Sequence, residues 1–251
     1  MEKSAIIQQI FQHQTVRQFT GEKISPQVAQ ELVAAGQRAA SSQNMQSFSV
    51  ISVTDEKILA AIAEITGYDF ILKSGWFFVF LADQYRNQQI IAQLGGTSQK
   101  TFDRFLAGVY DATLASENVT LAAESLGYGT AYLGSILNDA PQMIELLHLP
   151  PLTMPIFGLA VGQPAVSLAT QVKPRVPQEL LHFTNEYPSV LPFATSLAAY
   201  DEEVFAYYQE KGYPKTETFS KHLLKAGTNS KEKRKKLLSV LRSQGFLADE
   251  Q

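Results

Sequence analysis

The residues of this chain whose types could do chemistry are cations and hydroxyls placed where helices, strands and loops meet: His13, Thr15, Arg17, Ser41, Ser42, Gly134, Ser135, Lys173 and Arg175. Such positions suit an anionic ligand, because element ends and loops present backbone N–H groups while Lys and Arg neutralise charge. Spacing alone does not make a site of them. Taken singly, Arg17 or Lys173 reads as an ordinary surface cation.

Other routes to chemistry are closed by what the sequence lacks. It has no cysteine, which excludes thiolate nucleophiles, disulfides, thiolate zinc sites and iron–sulfur clusters together. His13, His148, His182 and His222 are too scattered for a metal site, and His148 sits in a Leu-His-Leu-Pro context that fits a structural or surface histidine. There is no GxxxxGK[ST], HExxH or GxSxG. Gly127-Tyr128-Gly129 follows a helical stretch and lacks the third glycine of a dinucleotide fingerprint, so no Rossmann site is expected.

The elements that must position those residues follow from hydrophobic periodicity. Ile6, Ile7, Ile10 and Phe11 recur at helical spacing, giving an amphipathic helix over 3–13 with His13 and Arg17 at or past its end. Ser25-Pro26 is a helix start, continued by Val28, Leu32, Val33 and Ala35 to about Ala40, before the polar loop Ser41-Ser42-Gln43-Asn44. A strand is expected over 47–53, a helix over 57–65 and a buried strand over 76–82. Residues 102–126 carry an apolar pattern with small residues for about seven turns, the mark of a central helix that Gly127 and Gly129 end. A short strand over 130–133, a helix after Asn138-Asp139-Ala140-Pro141 and a strand over 155–161 follow, and the remainder is mainly helical, over 197–209 and in two stretches from Lys215 broken near Gly227. At 251 residues and 45% hydrophobic the chain holds one sizeable core. No linker divides it, so one domain over 1–251 is expected, with basic C-terminal helices from about 197.

Net charge is −3, unevenly spread: residues 211–242 hold ten Lys/Arg against Glu217 and Glu232, leaving about −11 on the rest. A basic segment on an acidic body reads as an anion site, a nucleic-acid patch or a solvated helical face. The first twenty residues lack the basic start, apolar block and cleavage site of a signal peptide, and no apolar run approaches membrane-spanning length. A soluble, cytoplasmic protein with no membrane partner is expected.

The opening His13-Gln14-Thr15-Val16-Arg17-Gln18-Phe19-Thr20, followed by Ile24-Ser25, resembles the HxS(I/V)RxF(T/S)…(I/V)S start of the oxygen-insensitive NADPH nitroreductase and flavin reductase family. Five later segments resemble the same family in the same order: residues 40–46 (Ala-Ser-Ser-Gln-Asn-Met-Gln), Ile65-Thr66-Gly67, residues 122–127 (Ala-Ala-Glu-Ser-Leu-Gly), Tyr132-Leu133-Gly134 and residues 172–177 (Val-Lys-Pro-Arg-Val-Pro). The likeness runs over nearly the whole chain. It implies an α+β fold, a central mixed, mainly antiparallel sheet wrapped by helices, in an intertwined homodimer holding FMN without covalent attachment at the subunit interface.

Carried over position by position, the resemblance gives His13, Thr15, Lys173 and Arg175 to the FMN phosphate and ribityl chain and Arg17 to the flavin pyrimidine. Ser41, Ser42 and Gln43 would line the ribityl chain and ring edge, with Asp69 nearby. Tyr132, Leu133, Gly134 and Ser135 would supply backbone contacts beside the ring. Gln14 and Asp69 are counted with the cofactor-binding residues but depart from the family, which often has a second arginine at the first position and a glutamine near the second; Ser135 departs likewise, the family often having a glycine there. A carboxylate at Asp69 opposes charge on a reduced flavin unless it faces away. Lys215, Lys221 and Lys225 are the candidates for the 2′-phosphate of NADPH. The implied activity is ping-pong two-electron reduction of nitroaromatics, quinones or free flavin, small electron-poor acceptors, by an FMN-dependent NAD(P)H oxidoreductase. The rivals are a nucleic-acid-binding protein using Lys231, Lys233, Arg234, Lys235 and Lys236, for which the run lacks interleaved aromatic residues, and a flavin-binding protein without turnover on the same fold.

Overall fold

A computed structural model describes residues 3–167, 172–190, 193–211, 217–229 and 232–249. In chain order its regular elements are α1 (Ala5–Phe11), α2 (Pro26–Gly36), β1 (Phe48–Val53), α3 (Glu56–Thr66), β2 (Trp76–Asp83), α4 (Tyr85–Gln93), α5 (Phe102–Ser125), β3 (Gly129–Leu133), α6 (Ala140–Leu146), β4 (Thr153–Gly162), α7 (Phe193–Glu210), α8 (Phe219–Thr228) and α9 (Leu237–Ser243). They fall into two compact units, one of Met1–Leu168 with Lys233–Gln251 and the other of Ala169–Glu232.

The first unit is built on β2. Its sequence Trp-Phe-Phe-Val-Phe-Leu-Ala-Asp is apolar on both sides of the pleat because both faces of the sheet are covered. Phe77, Val79 and Leu81 enter one core with Leu59 and Ile62 of α3, whereas Phe78 and Phe80 enter another with Leu32 of α2 and Ala112, Ala115 and Val119 of α5. The order is β1-β2-β4-β3, and every strand pairs antiparallel with its neighbours. An α+β sheet wrapped by helices is therefore found, with one correction. The mixed character expected of it shrinks, among the described residues, to the parallel bridge of Thr15 with Thr130, because the segment after α1 touches β3 for one residue pair and then passes to Pro164 beyond the end of β4.

Helix starts are set by side-chain caps. Ser25 Oγ accepts from Val28 N with Pro26 in the first turn, Asp55 accepts from Lys57 N and Ile58 N, and Thr101 accepts from Arg104 N; each such cap contributes about 1 kcal/mol. Two expected helices are shorter than their patterns. α1 covers only Ala5–Phe11 and buries none of its residues, and α2 ends at Gly36 rather than near Ala40. α4 is additional to the expected elements.

α5 lies close to the sheet because its inner face is small. A Cβ at Gly108 would stand 2.8 Å from the Ser47 carbonyl oxygen and 2.9 Å from Ala82 Cβ. Gly158 of β4 is more tightly confined, since a Cβ there would meet Phe77 Cζ at 2.5 Å, and Phe77 is fully buried. Gly158→Ala should accordingly lower stability by about 1–3 kcal/mol, the range for overpacking a core, read as an earlier midpoint in urea at unchanged m-value. An unmoved midpoint would mean that Phe77 swings aside freely.

The chain returns to the first unit through α9. Val240, Leu241 and Phe246 pack with Ala140, Leu152 and Met154, and the Phe246 ring meets Phe105 edge-on at 5.2 Å. Gln244 ties the return down, its amide donating to the carbonyls of Thr153 at 2.8 Å and Pro150 at 3.2 Å while its own carbonyl accepts from Leu152 N at 2.6 Å. In the second unit α7 packs on α8 through Tyr200 and Phe219, edge-on at 5.1 Å, and Ser220 N donates to Asp201 at 2.8 Å. Among the described residues no helix is long and apolar enough to cross a membrane.

Candidate functional site

The segment from His13 to Thr20 is sewn to two strand ends. Val16 N donates to the Thr130 carbonyl at 2.8 Å, Ala165 N to the Gln18 carbonyl at 2.8 Å and Thr20 N to the Gln163 carbonyl at 3.0 Å. Extended backbone alternates its side chains, so Val16 is buried while Thr15 and Arg17 face outward. Gly129 makes room for Val16: a Cβ there would sit 2.4 Å from Val16 Cγ2. Arg17 is thus an exposed guanidinium on backbone pinned on either side of it. His13 is half-buried and pairs through Nδ1 with Glu124 Oε1 at 2.6 Å, an oxygen that also accepts from Thr130 Oγ1 at 3.2 Å. Glu124 Oε2 is buried without a hydrogen-bond partner among the described residues. Gln14 is half-buried and already engaged.

Residues 132–135 leave the end of β3. The Tyr132 phenol accepts from Thr120 Oγ1 at 2.9 Å and lies 3.1 Å from Ser116 Oγ and 3.4 Å from Glu117 Oε2, within reach as a donor. Burial first, then the Glu117 carboxylate, push its pKa up to about 12 against the lowering effect of the Ser116 and Thr120 hydrogen bonds. The phenol therefore keeps its proton throughout the physiological range. Its ring stands edge-on to Phe157 at 5.3 Å. Leu133 is buried, Gly134 exposed and Ser135 half-buried. The Gly134 carbonyl accepts from Arg234 Nη2. Ser135 Oγ and Arg234 Nε are buried and have no hydrogen-bond partner among the described residues. Two polar groups left so at one turn fit a ligand bearing polar atoms, because a buried polar group without a partner costs free energy. Of the basic run, then, Arg234 is directed to Gly134, whereas Lys233, Lys235 and Lys236 are exposed.

Residues 41–47 form a loop held from two helices. Ser41 Oγ donates to Asp111 Oδ2 at 2.7 Å and accepts from Gln46 N at 2.7 Å. Ser42 N donates to Asp111 Oδ1 at 3.1 Å and Ser47 N to Asp111 Oδ2 at 2.7 Å. Arg104 Nη1 donates to Gln43 Oε1 at 3.2 Å, and from α4 Asn87 Nδ2 donates to the Met45 carbonyl at 3.2 Å while Arg86 donates to the Gln46 carbonyl. Gln43, Asn44 and Gln46 lie in the left-handed region at φ of 52°, 54° and 49°, so the loop is costly to form and has to be held. The proton of Ser41 is committed to this scaffold. Ser42 and Gln43 remain exposed.

One helix organises all three segments. Along α5, Asp111 holds the loop 41–47, Ser116, Glu117 and Thr120 hold Tyr132, and Glu124 holds His13 and Thr130. Asp111, Glu124, Arg104 and Arg234 are the positioning groups that sequence reasoning did not single out for this place.

Asp69 is exposed and begins the short 3₁₀ turn Asp69–Lys73. Lys173 and Arg175 are exposed in the second unit, where Lys173 Nζ lies 5.1 Å from the Tyr208 ring centre and Arg175 Nη1 donates to the Lys173 carbonyl at 2.9 Å. Arg175 also lowers the Tyr200 pKa, though burial outweighs it and the phenol is raised. Lys221 and Lys225 are exposed, four residues apart on one face of α8. Lys215 and Lys231 lie outside the described residues. Among the described residues no group of His, Asp and Glu could hold a metal ion.

Comparison with known proteins gives the family. Residues 10–163 match the Nitroreductase family and residues 173–249 the C-terminal domain of the Nitroreductase family. The chain is 38% identical over 240 residues to an NADPH-dependent oxidoreductase of Staphylococcus haemolyticus, covering 94% of this chain and 95% of that one. It is similar in structure to the NfrA1 nitroreductase from B. subtilis, with a TM-score of 0.89 and 32% identity over 96% of this chain and 98% of that one. It is also similar to the NADPH:FMN oxidoreductase from Vibrio harveyi complexed with NAD+, with a TM-score of 0.85 and 29% identity over 98% of this chain and 100% of that one. With both parts of the family matched in order and the fold shared nearly end to end, the chain belongs to the nitroreductase family.

Proposed function

We propose that this chain, an oxidoreductase by family, is an NADPH-dependent enzyme that holds FMN without a covalent bond in a homodimer and reduces nitroaromatics, quinones or free flavin. The observation that carries the reading is the convergence on α5 of the His13–Arg17 segment, the turn at Gly134 and the loop 41–47, with Ser135 Oγ and Arg234 Nε left for a ligand's polar atoms. When bound, FMN supplies the redox chemistry, accepting a hydride from the nicotinamide and passing two electrons to an acceptor that follows it in a ping-pong sequence.

The chain's own residues bind, orient and stabilise charge. Arg17 offsets the negative charge that reduction brings to the pyrimidine side of the ring. Ser42 and Gln43 line the ribityl chain and ring edge from a loop that Ser41 and Asp111 fix in shape, and residues 132–135 offer backbone groups beside the ring. His13 and Thr15 serve the phosphate and ribityl chain. The family resemblance gives Lys173 and Arg175 the same role, and Lys215, Lys221 and Lys225 the 2′-phosphate of NADPH. Asp69, exposed on its turn, is assigned no contact with the ring. A second copy of the chain suits the apolar side chains that α1 and α5 leave exposed: Ile6, Ile10, Phe11, Tyr110 and Leu114.

The purified protein should be yellow, should oxidise NADPH faster than NADH, and should do so steadily with a quinone or nitroaromatic present. A colourless protein that takes up no added FMN would overturn the reading. Uptake of FMN without NADPH oxidation by any acceptor would leave a flavin-binding protein instead.

A further inference from the structure

Asp111 is nearly fully buried, at 1% exposure, on a helix face otherwise made of Ala107, Gly108, Ala112 and Ala115. A carboxyl group in such a place needs a reason, since burying it among small apolar residues costs free energy unless its oxygens are satisfied. They are satisfied by one loop: the Ser41 hydroxyl and Ser47 N–H reach Oδ2, and Ser42 N–H reaches Oδ1. All three are donors, so the side chain acts as an acceptor at both oxygens. Arg104, two turns earlier on the same helix, donates to Gln43 Oε1 and lies 3.1 Å from Met45 Sδ. The restrained segment contains three non-glycine residues at positive φ, a conformation that persists only where the surroundings dictate it.

We infer that Asp111 is a positioning residue for the cofactor site: it imposes the shape of the loop 41–47 from α5 and so sets how tightly FMN is held, without touching FMN itself, while Arg104 does the same for the Gln43 side chain. The inference rests on the flavin reading given above. It is separable from that reading, because it concerns affinity and loop order rather than whether FMN binds at all.

Asp111→Asn preserves shape and volume, but its amide sets an NH2 against the donors at one of the two oxygens. FMN-free wild type, Asp111→Asn, Arg104→Met and Ile62→Val would be titrated with FMN by flavin fluorescence, and the backbone amides of residues 41–47 followed by hydrogen exchange. Ile62→Val is the control, a loss of one buried methyl on the opposite face of the sheet from α5. The expected result is affinity weaker by roughly tenfold or more in Asp111→Asn, the scale of losing charge-assisted hydrogen bonds, and by roughly threefold in Arg104→Met, where the restraint is more exposed. The Ser42 and Ser47 amides should exchange faster in Asp111→Asn, with the control unchanged in both readouts. Asp111→Asn affinity within twofold of wild type would overturn the proposal, as would an equal loss in the control, which would mark a general effect of stability. If Asp111→Asn does not fold, Arg104→Met decides, a threefold weakening supporting the proposal and wild-type affinity overturning it. Wild-type protein that takes up no FMN would sink the flavin reading and this proposal with it, whereas normal wild-type uptake with unaffected variants would sink this proposal alone.

Discussion

Arg17→Leu should lower turnover with a quinone acceptor by about a hundredfold, the loss typical when one preorganised group that stabilises developing charge is removed. The expectation follows from how the residue is held. Val16 N is bonded to β3 and the Gln18 carbonyl to Ala165 just past β4, so the backbone on either side of Arg17 is fixed, and on the proposed reading the guanidinium needs little reorganisation when charge develops beside it. The side chain is exposed, so the substitution should leave the thermal midpoint nearly unmoved, as surface changes do. A two-electron couple shifts by about 30 mV per tenfold change in equilibrium constant. If the whole loss reflects the reduced state, the midpoint potential of bound FMN falls by about 60 mV. Arg17→Lys should recover only part, because an ammonium keeps the charge but not the planar fork. Steady-state NADPH oxidation at saturating FMN and a spectroscopic redox titration measure both quantities. Wild-type turnover and potential in Arg17→Leu would remove this residue from the chemistry.

The second large effect is on stability. Phe246 is 1% exposed and fills the space between Phe105 and the core of Leu152, Met154 and Val240. Phe246→Ala should cost about 3–5 kcal/mol, the range for truncating a buried aromatic ring. In a chain of this size that corresponds to a fall in thermal midpoint of roughly 6–20 °C. Circular dichroism of the FMN-free protein is the suitable measurement, since a ligand that binds the folded state would mask part of the loss. A fall of only one or two degrees would mean that the C-terminal return is loosely attached.

Much of this fold was legible because the pattern and the burial agree. The apolar run at 76–82 reads as a strand covered on both faces, and β2 is that strand. Residues 102–126 read as a central helix with a small face, and α5 buries Ala107, Gly108, Ala112, Ala115 and Ala123. α4 was illegible for the opposite reason. It buries none of its residues, and Gln84 at its start gives no side-chain cap, so neither periodicity nor a boundary signal marks it. Its worth lies in Arg86 and Asn87, which reach back to the loop 41–47. The pattern of α1 was legible but its consequence was not, since Ile6, Ile10 and Phe11 repeat as a core face and yet stay exposed among the described residues.

The candidate site was legible where its residues lie in one stretch of sequence, as in His13–Arg17 and Tyr132–Ser135. It was hidden where its geometry depends on distant partners. Asp111 looks like a stray polar residue in an apolar helix until Ser41, seventy positions earlier, is seen against it. Glu124 stands within a segment that matches the family, yet its pairing with His13 spans 111 positions. Arg234 is one cation in a run of lysines, and only the fold directs it to Gly134.

The return of α9 to the first unit also bears on the order in which the molecule is made. Everything through β4 leaves the ribosome before the second unit, and the second unit before Phe246. Until then the surfaces of Leu152, Met154 and Phe105 that Phe246 covers stand open on the nascent chain. The first unit therefore cannot be completed before Phe246 has been made, leaving an interval in which an apolar face is accessible to chaperones and to other unfinished copies.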